Sequence, residues 1–359
     1  MNHEYLISKA IELNASDIHI APNARPSLRI NGILQPFEDR DVMTHETVLE
    51  GVTKLCDEEK IEKLNREGEI NFSFSIPEQG RFRVNIIKQR GTFSISIRIL
   101  KLVIPSKEVL GLPDVLFELS SQSRGIIVVS GASGSGRSTT MAAILQFLNE
   151  TQNFNIITIE SPIEYLFKHN NSIVVQRDVG IDCESIYEGV KNIMRHDPDV
   201  VMISDINDEA VMELALQIAE SGKLVIAGLS SINSVTSIEA MISSSKPERL
   251  ENRKYKLASK LLAIIAQQLV PGKQDDKRVL VYELLLSNPA IRSNIMHGAF
   301  QELRNTLTIG KKQGLVSMDS NLFEKYHNGE ITQETLYKYC QDIEYIKRLE
   351  KNAPRGDLI

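Results

Sequence analysis

The sequence predicts an α/β protein with two domains: an α+β domain, then a doubly wound α/β domain that carries a phosphate-binding loop and ends in helices. Three observations support this fold class. Strands with alternating apolar residues follow one another before residue 100, a glycine-rich turn follows an apolar strand, and apolar runs then alternate with amphipathic stretches. We place the domains at 1–100 and 114–359, with a linker at 101–113 that contains prolines and a glycine.

The composition limits the classes of function. Of the 359 residues, 42% are hydrophobic and 25% are charged, which is typical of a globular protein in water. A net charge of −6 gives no basic excess, so we expect no nucleic-acid partner. The 3 cysteines are far apart, and the sequence has neither an apolar signal segment nor an apolar run long enough to span a bilayer. We therefore expect a cytoplasmic protein.

The N-terminal domain begins with a helical apolar pattern at 5–13 and continues with period-two strands. The apolar faces of these strands are Ile70, Phe72, Phe74 and Ile76; Phe82, Val84 and Ile86; and Phe93, Ile95, Ile97 and Ile99. Arg81 and Arg83 lie on the opposite face of the second strand. Short turns between successive half-buried strands predict an antiparallel sheet with helices.

Five apolar runs in the second domain are candidate parallel strands, buried on both faces. They are residues 125–130, 155–159, 200–203, 224–229 and 279–284. Amphipathic stretches such as 141–148 and 210–219 lie between them, which is typical of a doubly wound sheet. From about Leu286 the pattern is helical.

A glycine-rich turn follows the first of these runs and precedes a helix, as in a P-loop. Its glycines allow a tight turn with inward-pointing N–H groups at the positive end of that helix. We expect ATP phosphates to be bound by Gly131, Ser133, Gly134, Ser135, Gly136, Arg137, Ser138 and Thr139. Ser138 stands where the Mg²⁺-binding hydroxyl belongs, whereas Arg137 replaces the expected lysine with a broader, planar cation. The alternative is a glycine- and serine-rich turn without a ligand.

Further motifs, taken in order and spacing, extend the pattern over nearly the whole chain. They are ASDIHI at 15–20, LRING at 28–32, GRFRVN at 80–85, TIESPIEY at 158–165, RHDPD at 195–199, AESG at 219–222, PAIR at 289–292 and SMD at 317–319. With these motifs the chain resembles the type IV pilus retraction ATPases (PilT-like) of the secretion ATPase superfamily.

This resemblance implies a PAS-like N-terminal domain, a RecA-like P-loop ATPase domain and assembly into a hexamer. It also implies that ATP lies between the two domains and that their rotation drives disassembly of a pilus fibre in twitching motility. The expected location is the cytoplasmic side of the inner membrane, and the expected partner there is the pilus platform protein.

The resemblance assigns roles to four further side chains. Glu164 matches a glutamate that positions metal and water; the alternative is a solvated glutamate after a strand. Asp205 follows the run 200–203 in the Walker B position for Mg²⁺ and water, with capping of the next helix as its alternative. Arg81 and Arg83 match arginine fingers that reach the γ-phosphate; otherwise they are solvated arginines on a strand.

The chain departs from the family pattern at several of these positions. Each replacement is given with the family residue in parentheses: Arg137 (lysine), Ser161 (aspartate), Ser204 (glycine), Asp205 (glutamate), Asn207 (arginine), Lys223 (histidine) and Ser230 (histidine). The replacements at Arg137, Ser161, Asp205, Lys223 and Ser230 change a charge, a reach or a proton acceptor, so the resemblance implies ATP binding with weakened hydrolysis.

Two hypotheses of function stay open. One is a retraction-type motor that hydrolyses ATP slowly, as a homo-hexamer. The other is a non-catalytic regulatory or structural subunit in a mixed hexamer with an active paralogue. A pilus-assembly ATPase is a third and weaker reading, because this sequence has neither the long N-terminal extension nor the tetracysteine zinc site that is frequent in those relatives.

Overall fold

The computed structural model describes residues 3–30, 33–76, 79–100, 103–122, 124–245, 247–274 and 277–352. Part of the predicted linker (Lys101 and Leu102) and the end of the LRING motif (Asn31 and Gly32) lie outside the described residues. The chain divides into two compact units: residues 1–103 with 164–166, and residues 104–163 with 167–359. The predicted domain boundaries at 100 and 114 remain predictions, although the linker segment contains a one-turn helix.

The first unit is an antiparallel sheet with three helices. Its elements are α1 (His3–Glu12), β1 (Asp17–Ile20), β2 (Ser27–Ile30), β3 (Ile33–Pro36), α2 (His45–Leu55), α3 (Glu58–Glu67), β4 (Glu69–Ile76), β5 (Gly80–Gln89) and β6 (Thr92–Ile99). The strand order is β3-β2-β1-β6-β5-β4. As the alternating pattern predicts, all strand pairs are antiparallel, and Phe82, Val84 and Ile86 are fully buried in one core with residues of α1 and α2.

The second unit contains the remaining elements. They are α4 (Lys107–Leu110), α5 (Asp114–Ser120), β7 (Gly125–Ser130), α6 (Arg137–Thr151), β8 (Asn155–Glu160), β9 (Ile173–Asp178), α7 (Ile186–Lys191), β10 (Val200–Ile203), α8 (Glu209–Glu220), β11 (Leu224–Leu229), α9 (Ser234–Ser243), α10 (Leu250–Lys260), β12 (Leu261–Pro271), β13 (Arg278–Leu286), α11 (Pro289–His297), α12 (Phe300–Ile309), α13 (Met318–His327), α14 (Gln333–Tyr339) and α15 (Ile343–Asn352). Three short 3₁₀ helices lie at Ile193–His196, Pro247–Arg249 and Gly310–Gln313.

These strands form a mostly parallel sheet in the order β13-β12-β7-β11-β10-β8-β9. Successive residues of β7 enter opposite cores: Ile126 and Val128 pack with α8, α9 and α10, whereas Ile127 and Val129 pack with α5 and α6. Burial on both faces explains why these strands are continuous apolar runs.

The sheet differs from the prediction at β9, β12 and β13. The run 279–284 was expected to be parallel, but β13 pairs antiparallel with β12, because a short connection returns the chain at once beside the strand it has just left. Two strands, β9 and β12, were not predicted. Beyond β13 the chain is helical, and α13, α14 and α15 pack on β12 and β13 through Val270, Val281 and Met318.

No helix among the described residues is both long and apolar enough to cross a lipid bilayer.

Four charged residues join α8 to α10 in the second unit. Arg253 is 2% exposed, and its Nη2 lies 2.9 Å from Oε2 of Glu213. Lys256 lies 3.0 Å from both Glu213 and Glu220. Burial raises the pKa of Glu213, but the hydrogen bond from Lys256 and the charge of Arg253 outweigh it, so the pKa is lowered overall. Glu213 is thus the counter-charge of a buried guanidinium.

We predict that Glu213→Gln lowers the free energy of unfolding at pH 7 by about 3 kcal/mol, because it leaves Arg253 buried without a charged partner. The folded pKa of Glu213 lies below its unfolded value, so this stabilisation is present above the ordinary value of 4.5 and is lost as pH falls through the folded pKa. Urea unfolding between pH 7 and pH 3 measures it. Glu239→Gln, which breaks the exposed pair with Arg304, is the control and should cost less than about 1 kcal/mol. Equal losses in the two variants would contradict the prediction.

Candidate functional site

The glycine-rich loop connects the carboxyl end of β7 to α6. Gly131, Gly134 and Gly136 have φ angles of 156°, 78° and 90°. A Cβ atom on Gly131 would lie 2.3 Å from Oγ of Ser135 and 2.5 Å from the carbonyl oxygen of Gln267. Only glycine permits so close an approach, so the loop can close on itself and on β12. Gly136 is the N-cap of α6 and makes no side-chain capping bond, and the positive end of the helix dipole faces the loop.

Buried polar atoms without partners surround this loop. Nε2 of Gln267 donates to the carbonyl of Ser135 at 2.9 Å, but Oε1 of Gln267 has no partner among the described residues. The same holds for Oγ of Ser130 and Oγ of Ser135. A buried polar group without a partner costs about 1–3 kcal/mol, and such groups in native proteins call for an explanation such as a ligand or a catalytic role. The hydroxyls of Ser130 and Ser135 can donate to an anion, so the loop fits an anion-binding site that is built at the expense of stability.

The parallel register brings the ends of β7, β10 and β11 to one edge of the sheet. Leu229 pairs with Ser130, and Ile203 pairs with Ala227. Ser230, directly after β11, therefore lies beside the loop, and Asp205, two residues after β10, lies one strand further along the same edge. The sequence-predicted residues of the loop, Ser230 and Asp205 are thus brought together.

These side chains form one hydrogen-bonded chain. Nη1 of Arg137 donates to Oγ of Ser230 at 3.1 Å. Nδ2 of Asn207 donates to the same Oγ at 3.0 Å, and Oδ1 of Asn207 accepts from the backbone N–H of Ser230 at 3.0 Å. Nδ2 of Asn207 also lies 2.8 Å from Oδ2 of Asp205, whose Oδ1 accepts from the N–H of Asn207 at 2.8 Å. The cation at the end of the phosphate loop and the carboxylate after β10 are therefore connected through one amide and one hydroxyl.

Asp205 does not cap the following helix. Asp208 is the N-cap of α8, and its Oδ1 accepts from the N–H groups of Ala210 and Val211 at 2.8 and 3.2 Å. Asp205 is half-buried, and its carboxylate is turned toward Asn207. The capping alternative for Asp205 is thereby removed, and the carboxylate is placed for another role.

The two glutamates of the TIESPIEY segment lie in different surroundings. Glu160, at the end of β8, is 6% exposed and accepts from Thr158 at 2.6 Å and from Gln176 at 3.0 Å. Glu164 is exposed, and it belongs to the first compact unit rather than to the second. Between them, the N–H of Ser161 donates to Oγ of Ser204 at 3.1 Å, so two further departures from the family pattern contact each other.

Lys223 is not brought to the loop. It precedes β11, whose first residue, Leu224, pairs with Gly125 at the start of β7. The full length of a strand, about 20 Å, separates that end of the sheet from the phosphate loop. Nζ of Lys223 instead lies 3.4 Å from Oδ1 of Asp197. Within one chain, the expectation that Lys223 affects the phosphate site is wrong, because the two ends of one parallel strand lie at opposite edges.

Arg81 and Arg83 lie on β5 of the first unit, on either side of the fully buried Phe82. Both are half-buried on the polar face of the strand, as their alternation predicts. Arg83 pairs across the sheet with Arg98, which forms an ion pair with Asp17 at 2.9 Å. Two neighbouring arginines thus occupy a face that has further positive charge beside it.

The sequence analysis gave no role to two residues of the site. Asn207 makes four of the hydrogen bonds described above, and Gln267 supports the loop from β12. A signal for Asn207 is its place two residues after a strand-end aspartate, where asparagine commonly forms local turns. A signal for Gln267 is its polarity, shared with Gln268, within a mostly apolar strand, since a buried amide needs a partner.

Comparison with known proteins agrees with this architecture. Residues 3–278 match the Type II/IV secretion system protein family. The type IV pilus ATPase PilU of Pseudomonas aeruginosa is 32% identical over 357 residues, which cover 99% of this chain and 93% of PilU. A crystal structure of the pilus retraction motor PilT with bound ADP has a TM-score of 0.89 at 36% identity, and the match covers 96% of this chain and 98% of that one.

The ATPase DotB of Legionella pneumophila shares the fold, with a TM-score of 0.79 at 23% identity over 98% of this chain and 96% of DotB. These matches confirm the predicted fold class of an N-terminal domain, a sheet-based ATPase domain and a helical C-terminal portion. The chain belongs to the Type II/IV secretion system protein family and is a homologue of the type IV pilus motor ATPases PilU and PilT.

Proposed function

We propose that this chain is an ATP-binding subunit of the type IV pilus motor, acting in twitching motility, in which hydrolysis is weakened. One observation carries the proposal: the hydrogen-bonded chain from Arg137 through Ser230 and Asn207 to Asp205 beside the glycine-rich loop. The loop supports nucleotide binding, and the hydrogen-bonded chain supports slow turnover.

Binding of the triphosphate follows from the loop. N–H groups of 132–134 would supply donors, and Arg137 would supply positive charge. Mg²⁺ prefers oxygen ligands, and the Ser138 hydroxyl and the Asp205 carboxylate are the oxygen donors that would hold it. When bound, the metal neutralises charge on the phosphates. Glu164 would orient water, and Arg81 and Arg83 would contact the γ-phosphate.

Weak hydrolysis follows from how the same groups are occupied. Arg137 already has a partner in Ser230, so a phosphate must compete for its Nη1. Both oxygens of Asp205 accept from Asn207, so water or a metal ion must compete with Asn207 for the carboxylate. Aspartate is also one methylene shorter than the family's glutamate, and a displacement of about 1 Å can cost on the order of a hundredfold in rate.

The same observation favours a second candidate, a non-catalytic subunit that assembles with an active ATPase. A site that binds nucleotide without turnover would still order the chain around the ligand. In both cases we propose a hexamer, homomeric for the motor and mixed for the non-catalytic subunit, on the cytoplasmic side of the inner membrane against a platform protein. Homology to PilU and PilT supports this assignment.

Steady-state MgATP hydrolysis by the purified chain separates the two candidates. We expect turnover above that of Ser138→Ala, which lacks the proposed metal-binding hydroxyl and gives the background. Light scattering on the same sample, with a mass of six copies expected, shows whether a ring is present. Turnover equal to the Ser138→Ala background, in a chain that binds ATP, would leave the non-catalytic subunit, for which no hexamer of this chain alone is required. A chain that binds no ATP would contradict both candidates.

We predict that Arg137→Lys raises MgATP turnover by about tenfold, corresponding to about 1.4 kcal/mol of the barrier. Lysine is a compact cation without the planar guanidinium whose Nη1 donates to Ser230, so its charge is not bound there. Ser230→Ala is the matched control: it frees the guanidinium but keeps its shape, and should raise turnover by less than Arg137→Lys. Unchanged turnover in Arg137→Lys would show that the other replacements limit the rate.

Replacement of Arg81 and Arg83 together by alanine should weaken ATP binding relative to ADP by about tenfold, because only ATP carries the γ-phosphate that they would contact. Arg98→Ala, on the same face of the adjacent strand, removes a neighbouring charge and is the control. Titrations with fluorescent ATP and ADP analogues measure the ratio. An unchanged preference in the double variant, or an equal loss in Arg98→Ala, would remove the finger assignment.

A further inference from the structure

Two helices of the second unit begin at one buried carboxylate. Glu283, on β13, is 6% exposed. Its Oε1 accepts from the N–H of Ser234 at 2.8 Å and from the Ser234 hydroxyl. Met318 lines the same cavity as this carboxylate, and its backbone N–H acts to lower the pKa of Glu283. Ser234 and Met318 are the first residues of α9 and α13, so Glu283 holds the starts of both helices.

The start of α9 is directly linked to the phosphate site. Residues 231–233 connect it to Ser230, which is held by Arg137 and Asn207. Within this connection, Oδ1 of Asn233 accepts from the N–H of Thr236 at 2.8 Å, and the hydroxyl of Ser231 lies 2.7 Å from that of Thr236. The segment 230–234 is therefore fixed at one end by the phosphate site and at the other by Glu283. If Ser230 moves, only the three residues 231–233 can change conformation before the movement reaches Ser234.

The start of α13 belongs to the helical C-terminal portion. Asp319 follows Met318, is 6% exposed, and accepts from the N–H groups of Gln341 and Asp342 at 2.7 and 2.8 Å. Glu283 and Asp319 both line a cavity of about 330 Å³ in which Arg304 and Arg348 also take part. The start of α13 thus has open space on one side and the Glu283 carboxylate on the other. Met318 itself is buried against Val270 and Val281, so core packing on one side and Glu283 on the other hold the start of α13.

Stability alone does not account for a carboxylate at this place. Burial raises the pKa of Glu283, although the bonds from Ser234 and Met318 act in the opposite direction. Buried charges of this kind are frequently no more stabilising than apolar residues of the same size. A carboxylate can attract two helix N-termini at the same time. Its oxygens accept hydrogen bonds from N–H groups, and its negative charge is attracted to the partial positive charge of each helix start.

We propose that Glu283 is a positioning residue that couples the phosphate site, through the segment 230–234, to the start of α13. A change at Ser230 then alters the local stability of α13, and a change at α13 alters the phosphate site by the same factor. If nucleotide binding is what changes the position of Ser230 in the working protein, the proposal rests on the function proposed above. The coupling between the two segments does not depend on that function.

Hydrogen exchange of the nucleotide-free protein tests the coupling by a double-variant cycle. Ser230→Ala should speed amide exchange at 318–322 by about tenfold, a magnitude typical of one hydrogen bond to a charged group. In a Glu283→Gln background, the same Ser230→Ala change should leave exchange at 318–322 unaltered, because the link is already weakened. Asp319→Asn is the matched control: it removes the other buried carboxylate of the cavity, which contacts 341–342 and not α9. The effect of Ser230→Ala should persist in that background.

An effect of Ser230→Ala that is equal with and without Glu283→Gln, or that is absent from the parent protein, would overturn the coupling. If Glu283→Gln does not fold, Ser234→Ala takes its place, since it removes the hydroxyl donor and keeps the backbone donor.

A second measurement adds ADP to the parent protein and to Glu283→Gln. We expect slower exchange at 131–140 in both, and a change at 318–322 in the parent alone. A response at 318–322 that is the same in both proteins would overturn the proposal. Absence of any response at 131–140 would contradict the proposed nucleotide binding, and the nucleotide-free cycle would then decide the coupling by itself.

Discussion

The site depends on the parallel register of β7, β11 and β10. Because Leu229 pairs with Ser130, the residue after β11 lies beside the start of the glycine-rich loop. A shift of one residue would turn Ser230 to the other face of the sheet and separate it from Arg137. The register is itself fixed by burial, since Ile126 and Val128 enter one core and Ile127 and Val129 the other. The hydrophobic cores thus place the polar groups of the site.

The sequence predicts the central strands well and the edges of the sheet poorly. β7, β10 and β11 are short apolar runs followed by polar residues, a pattern that burial on both faces demands. β12 continues directly from α10, and an apolar run without a turn before it does not separate strand from helix. β9 alternates exposed and buried residues because it is the last strand of the sheet. The antiparallel direction of β13 depends on its pairing with β12, and a local sequence pattern does not predict which strand it pairs with.

The candidate site was predictable where a residue's role depends on its own backbone. Gly131 in the loop and Ser138 in the first turn of α6 belong to a motif whose residue spacing predicts its backbone geometry. The positions of strand-end residues such as Asp205 are predicted by the parallel topology. Asn207 and Gln267 act through contacts with residues far along the chain, so spacing does not reveal them. The expected effect of Lys223 on the phosphate site was also decided by contacts that sequence spacing does not show. Lys223 and Ser230 are close in the sequence, but β11 places them at opposite edges of the sheet.

The replacements are related to one another by contact, and this bears on how the site works. Arg137, Ser230, Asn207 and Asp205 form one hydrogen-bonded set, and Ser161 contacts Ser204. A serine at 230 leaves space and supplies an acceptor for the wider guanidinium, and Asn207 satisfies both that serine and the carboxylate of Asp205. Such mutual satisfaction stabilises one arrangement of the loop, the strand end and the segment that leads to Glu283. A site organised in this way is suited to report bound nucleotide to the helical C-terminal portion even when the chemical step is slow.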